Sequence, residues 1–198
     1  MRFKNLGILL LMFIGLTGCV KQGFNPNGAS VPSLFLGEIP VQRELASIGE
    51  HVVGKIKLDV EPDGKISVVG GKGNNDEILV RTDKKELLAF LDKSLEWSET
   101  AQKEKVNILK KMGFLNSSTS ESSNTISFMF KAVEQGQLSG LQLTFRYYNI
   151  NPFTPNYERE FDVLVTNANV KKMKALIGDS DKVLAEGLAD HSKADLFK

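Results

Sequence analysis

Strict alternation of apolar and polar side chains constrains this chain more than any other feature. Val52, Ile56, Leu58 and Val60 alternate with Lys55, Lys57, Asp59 and Glu61. The same period returns three times further on. Ile126, Phe128, Phe130 and Ala132 face away from Ser127 and Lys131; Leu141, Leu143, Phe145 and Tyr147 alternate with Gln142, Thr144, Arg146 and Tyr148; Tyr157, Phe161, Val163 and Val165 alternate with Glu158, Glu160 and Asp162. A period of two sends successive side chains to opposite faces, so each segment is a strand with one buried and one wet face. Strands of an all-parallel sheet are buried on both faces and read as unbroken apolar runs, which these are not. The links Pro62-Asp63-Gly64 and Gln135-Gly136-Gln137 are too short for a crossover and require antiparallel hairpins.

The remaining segments fill in the architecture. Leu34 to Ile39 reads as a short edge strand ended by Pro40, and Glu44 to Glu50 has no decided pattern. Ile66 to Val69 returns from the Pro62-Asp63-Gly64 turn, and Glu77 to Arg81 follows the Gly70–Asp76 loop as another strand. Thr82 or Asp83 can cap a helix. Leu87, Leu88, Leu91, Leu95, Ile108, Leu109 and Met112 recur at helical spacings, which predicts one long helix from Lys84 to Met112, polar over Ser98–Lys105 and stopped by Gly113. Asn116 to Asn124 is serine-rich and reads as an exposed loop. Asn167 can cap a short helix over Val170–Ile177; a second covers Lys182–Leu188 and a polar tail closes the chain. The expected fold is α+β: an antiparallel sheet of about six strands with one long helix packed on it and short C-terminal helices, forming a single domain over residues 34–198. The alternative is a two-sheet β-sandwich with the helix as an excursion. There is no internal repeat.

The first residues address the chain rather than fold it. Arg2 and Lys4 precede an apolar run, Leu6 to Leu16. That run is shorter than the roughly 20 residues needed to span a bilayer and fits a secretory signal. Leu16-Thr17-Gly18-Cys19 then resembles the lipobox of bacterial lipoproteins. The resemblance implies a signal peptide over residues 1–18, cleavage before Cys19, diacylglyceryl and palmitate-type chains on its thiol and amine, and a lipidated flexible tether over residues 19–33. It also implies a cell-envelope location, with the membrane as partner through Cys19. Val20, rather than Asp, after the cysteine favours the outer membrane in a host that has one. Each buried methylene contributes about 0.8 kcal/mol, so two or three long chains hold a protein on a membrane almost permanently. The plainer alternative is an ordinary signal peptide or uncleaved anchor in which Cys19 is incidental. The tether carries Gly23, Asn25-Pro26-Asn27-Gly28 and Pro32 and reaches at most about 50 Å.

Composition removes whole classes of chemistry. Cys19 is the only cysteine, so an intrachain disulfide, a CxxC redox centre and a cysteine-based zinc site are excluded. His51 and His191 are the only histidines and lie far apart in sequence. The formal charge is +1 and becomes −1 once Arg2 and Lys4 leave with the leader, which speaks against a nucleic-acid partner. Asp59-Val60-Glu61-Pro62-Asp63-Gly64 has the first acids of a calcium loop, but Gly70 stands where the bidentate Glu is needed, and a hairpin turn accounts for it. The Gly70–Asp76 loop runs into a strand, not into the helix that a phosphate loop opens. Gly178-Asp179-Ser180 resembles the nucleophile block of GDSL esterases, but it stands near the C-terminus with His191 only a few turns on, and helix capping explains it as well. No catalytic residue, metal ligand or cofactor is expected.

The best candidate surface is the loop Asn149–Asn156, Asn-Ile-Asn-Pro-Phe-Thr-Pro-Asn, flanked by tyrosines. Prolines stiffen it, and aromatic rings give contact area at low entropic cost. Tyr148, Phe153 and Tyr157 are the candidate partner-binding residues; in the alternative, Phe153 and Tyr157 fold back to plug the end of the sheet. Trp97 is expected to pack on the sheet edge rather than await a partner. Together these features point to a non-enzymatic binding or structural module with a possible envelope-protein partner. The alternatives are a carrier of a small apolar ligand or lipid between sheet and helix, and a hydrolase with no recognisable motif.

Overall fold

A computed structural model describes residues 32–45, 52–71, 77–153 and 157–195, with side chains through Asp190. The leader, Cys19, most of the tether and His51 lie outside the described residues. In chain order the elements are β1 (Leu34–Gln42), β2 (Val52–Val60), β3 (Ile66–Gly70), β4 (Ile78–Thr82), α1 (Lys84–Glu104), β5 (Ile108–Ser118), β6 (Ser122–Val133), β7 (Leu138–Asn149), β8 (Glu158–Thr166), α2 (Asn167–Gly178) and α3 (Ser180–Asp195).

The strands form one antiparallel sheet in the order β4-β3-β2-β1-β8-β7-β6-β5. It consists of two four-stranded meanders joined in the middle by the first and last strands. α1 links the two outer edges, a span of roughly 31 Å at 1.5 Å per residue. That link is possible because the sheet curls until its edges approach, giving a nearly barrel-shaped body. Asn124 on β6 donates to the Leu79 carbonyl on β4 at 2.7 Å. Across the interior, the Phe145 ring of β7 lies 2.7 Å from where a Cβ on Gly70 of β3 would sit. The inward faces hold the core that the alternation predicts: Ile56, Leu58, Ile126, Phe128, Phe130, Leu141 and Phe145 are all fully buried. α1 adds Leu87 and Leu91 to this core, and Phe90 stacks on Phe128 with ring centroids 4.3 Å apart.

Several expectations are corrected. The sheet has eight strands rather than about six, and it is one curled sheet rather than a sandwich of two. β1 is central and extends through Pro40 to Gln42. Proline survives there because β1 meets β8 at a single register position, Gln42 opposite Leu164. Below that point α2 takes over the open edge: Asn169 donates to the Pro40 carbonyl at 3.0 Å and Lys172 to the Glu38 carbonyl at 3.0 Å.

The predicted helix to Met112 ends instead at Glu104. Lys105 turns left-handed at φ 52°, and the Val106 N–H reaches back to the Ala101 carbonyl at 3.0 Å while the Lys105 N–H reaches Gln102, the paired closure of a Schellman stop. Ile108, Leu109 and Met112 then belong to β5. A bulge at Met112, between the pairs Lys111–Met129 and Gly113–Phe128, breaks the period of two and imitates helical spacing. The serine-rich stretch is the wet end of the β5–β6 hairpin, its turn held by Thr119 Oγ1, which accepts from the N–H groups of Glu121 and Ser122 at 3.2 and 3.1 Å. The polar tail continues α3 to Asp195.

The topology sorts the connections between two ends. The β1–β2, β3–β4, β5–β6 and β7–β8 links lie at one end, the rim. The start of β1, the β2–β3 and β6–β7 turns and both ends of α1 lie at the other. Helices close that second end: α2 runs beside α1, tied by Lys174 to Asp92 at 2.6 Å, and Lys84 of α1 reaches Asp181 at the start of α3 at 2.9 Å.

Candidate functional site

The β7–β8 loop rises from the rim on rigid supports. Asn149 donates its N–H to the Tyr157 carbonyl at 3.0 Å, and Ile150 donates to the Glu121 carbonyl of the neighbouring hairpin at 2.9 Å. Two successive Asx turns then shape the crest. Asn149 Oδ1 accepts from the Asn151 N–H at 3.0 Å, and Asn151 Oδ1 accepts from the Phe153 N–H at 2.9 Å. Phe153 emerges from them 93% exposed, so it does not fold back to plug the sheet.

The flanking tyrosines divide between the two faces of the hairpin. Tyr148 lies opposite Glu158 and Ser123 on the outer wall, with the Arg146 guanidinium 5.8 Å from its ring. Arg146 is fixed by Glu160 at 2.5 Å from Nε and by Glu158 at 3.3 Å. The hydrogen bond to Glu160 raises the Arg146 pKa above its already high ordinary value, so the cation is permanent. On the mouth side, Tyr157 leans on Tyr147 with centroids 6.3 Å apart, and Arg159 lies 4.9 Å from the Tyr147 ring and 5.7 Å from the Tyr157 ring. The structure therefore gathers Tyr148, Phe153 and Tyr157 on one rim but aims them outward, upward and inward respectively. Arg146, Arg159 and the half-exposed Ile150 complete it. Arg146 and Arg159 are not legible as site residues in the sequence, because an eight-residue loop leaves the register of its flanking strands open.

The other sequence candidates resolve into structure. Around the Asp59–Gly64 turn every acid has a partner: Asp59 has Lys57 at 3.0 Å, Glu61 accepts from Ser67 at 2.5 Å, and Asp63 has Arg81 at 2.8 Å. Among the described residues, no three histidines, cysteines or acids lie close enough to hold a metal ion. Ser180 is fully buried at the α2–α3 junction, where the Asp179 carbonyl accepts from Lys182 and Val183. Trp97 packs edge-on against Phe130 at 5.8 Å, as expected.

No protein-family model and no curated protein matches the sequence.

Proposed function

We propose that this chain is a lipid-anchored envelope module, without catalytic activity, that engages another envelope protein through the aromatic crest of its rim. The observation that carries the reading is Phe153, a large apolar side chain held almost wholly in water by two Asx turns and stiffened by Pro152. Burying such a ring in a partner's pocket regains its transfer free energy, on the order of 1.5–3 kcal/mol, and the preformed loop loses little entropy on docking. Tyr and Arg, the residue types that dominate interface hot spots, stand on either side. Position supports the same reading. The strands run roughly 40 Å from the helical end, where β1 begins and a tether would attach, to the crest. The interior between sheet and α1 is filled by stacked and interlocked rings, which favours partner binding over carriage of a lipid-sized molecule.

A photoreactive benzophenone side chain placed at Phe153 in living cells tests this. The reading expects one adduct of defined mass at Phe153, lost when Tyr148 and Tyr157 are changed to Ala, and none when the same group replaces Lys182 on α3. Equal labelling at both positions, or no adduct at Phe153, overturns it.

A further inference from the structure

The outer wall of β5 and β6 breaks the alternation that the rest of the sheet keeps. Residues directly opposite one another in an antiparallel pair share a face. Leu109 stands opposite Lys131 and Lys111 opposite Met129. These four take the outward row, because the Lys110–Phe130 and Gly113–Phe128 pairs hold the inward one, with both rings buried. The bulge at Met112 resets the row, so Gly113 turns in and Phe114 turns out opposite Ser127. Gly113 suits the inner place, since a Cβ there would come within 3.0 Å of the Phe90 ring. Leu109 and Phe114 are left 62% and 60% exposed, and the half-buried Met129 lies diagonal to both. Three large apolar side chains thus adjoin on the wet face of an edge strand, where polar groups usually stand. Charge is just as one-sided. β5, β6 and β7 contain no Asp or Glu. Of their cations, Arg146 is taken by Glu158 and Glu160. Among the described residues Lys111 and Lys131 have no carboxylate partner.

We propose that this wall rests on an anionic lipid surface, with Leu109 and Phe114 entering the headgroup layer and Lys111 and Lys131 meeting lipid phosphates. Charge complementarity selects an anionic surface over a neutral one, and exposed apolar side chains beside lysines are the composition of interfacial binding. Place supports the same occupant. The patch lies on the half of the wall nearest the helical end, where β5 begins and β6 finishes. The inference rests on the proposed anchor in one respect, that a bilayer stands within the tether's reach of about 50 Å. A body leaning on this corner keeps the crest of the rim in water.

A dansyl-bearing amino acid placed at Leu109 tests this. The full mature protein is purified in neutral detergent and reconstituted with vesicles of phosphatidylcholine, either alone or mixed with phosphatidylglycerol. Flotation with the phosphatidylcholine vesicles reads the anchor; dansyl emission reads the wall, whether or not the anchor is present. Emission at Leu109 is expected to brighten and shift to the blue only with phosphatidylglycerol, and to revert at high salt. The same group at Phe153 should stay in water with both vesicles. Lys111→Gln and Lys131→Gln should each lower the ratio of seated to free wall about fivefold. Phe114→Ser should lower it about tenfold with the charges untouched. Equal emission at Leu109 with the two vesicle types, or an anionic response indifferent to both lysines, overturns the proposal. So does a blue shift in detergent alone that grows with protein concentration, which would mean that a second copy covers the wall.

Discussion

Gly136 in the β6–β7 turn has φ 82°, a conformation costly for any residue with a Cβ. A Cβ there would also run into the carbonyl group of Ala101, in the last turn of α1. The turn is thus the point where the sheet presses on the helix end, and Gln135 fixes the spot by donating its N–H to Asn107 Oδ1 at 2.8 Å. Gly136→Ala combines left-handed strain with overpacking and should cost about 2–4 kcal/mol, read as a lower urea midpoint at unchanged slope. Phe153 is the opposite case, a residue whose removal should leave stability nearly untouched because the fold does not use its ring. Of the three rim residues legible in the sequence, only Phe153 declares its exposure through local chemistry, the Asn-x-Asn spacing that makes both Asx turns. Tyr148 and Tyr157 depend on strand register for the face they take.

At the scale of elements, the stop after α1 decides how many strands the sheet has. Lys105 occupies the left-handed position that glycine usually takes in such a stop. Lys105→Gly should therefore raise stability by about 0.5–1 kcal/mol, measurable as a higher urea midpoint. The misplacement of this stop has a physical cause. No Gly marks the end of the helix, and the bulge at Met112 lets Ile108, Leu109 and Met112 pass for one more helical face. Regular strands such as β6, β7 and β8 were legible because each buries one face and nothing interrupts the period. β1 is legible as a strand over Leu34–Ile39, but not its central place or its continuation through Pro40, since a proline in a central strand is readable only once α2 is known to satisfy the carbonyls that β8 abandons.

At the scale of the whole molecule, the curled sheet separates two surfaces. The helical end carries the beginning of β1 and the α1–α2–α3 cap. Among the described residues, the rim carries the aromatic crest and the β5–β6 turn. Alternation and turn chemistry predict an antiparallel α+β body, but its closure rests on contacts such as Asn124 to Leu79 and Phe145 to Gly70, which join residues remote in sequence and leave no local signature. The proposed orientation, with the helical end toward a membrane and the crest away from it, requires an acylated Cys19. Intact-mass spectrometry of the protein extracted from native envelopes tests this most directly. The account predicts a chain that starts at Cys19 and carries the added mass of diacylglyceryl or further acyl groups. A mature chain whose mass leaves the Cys19 thiol free would contradict it.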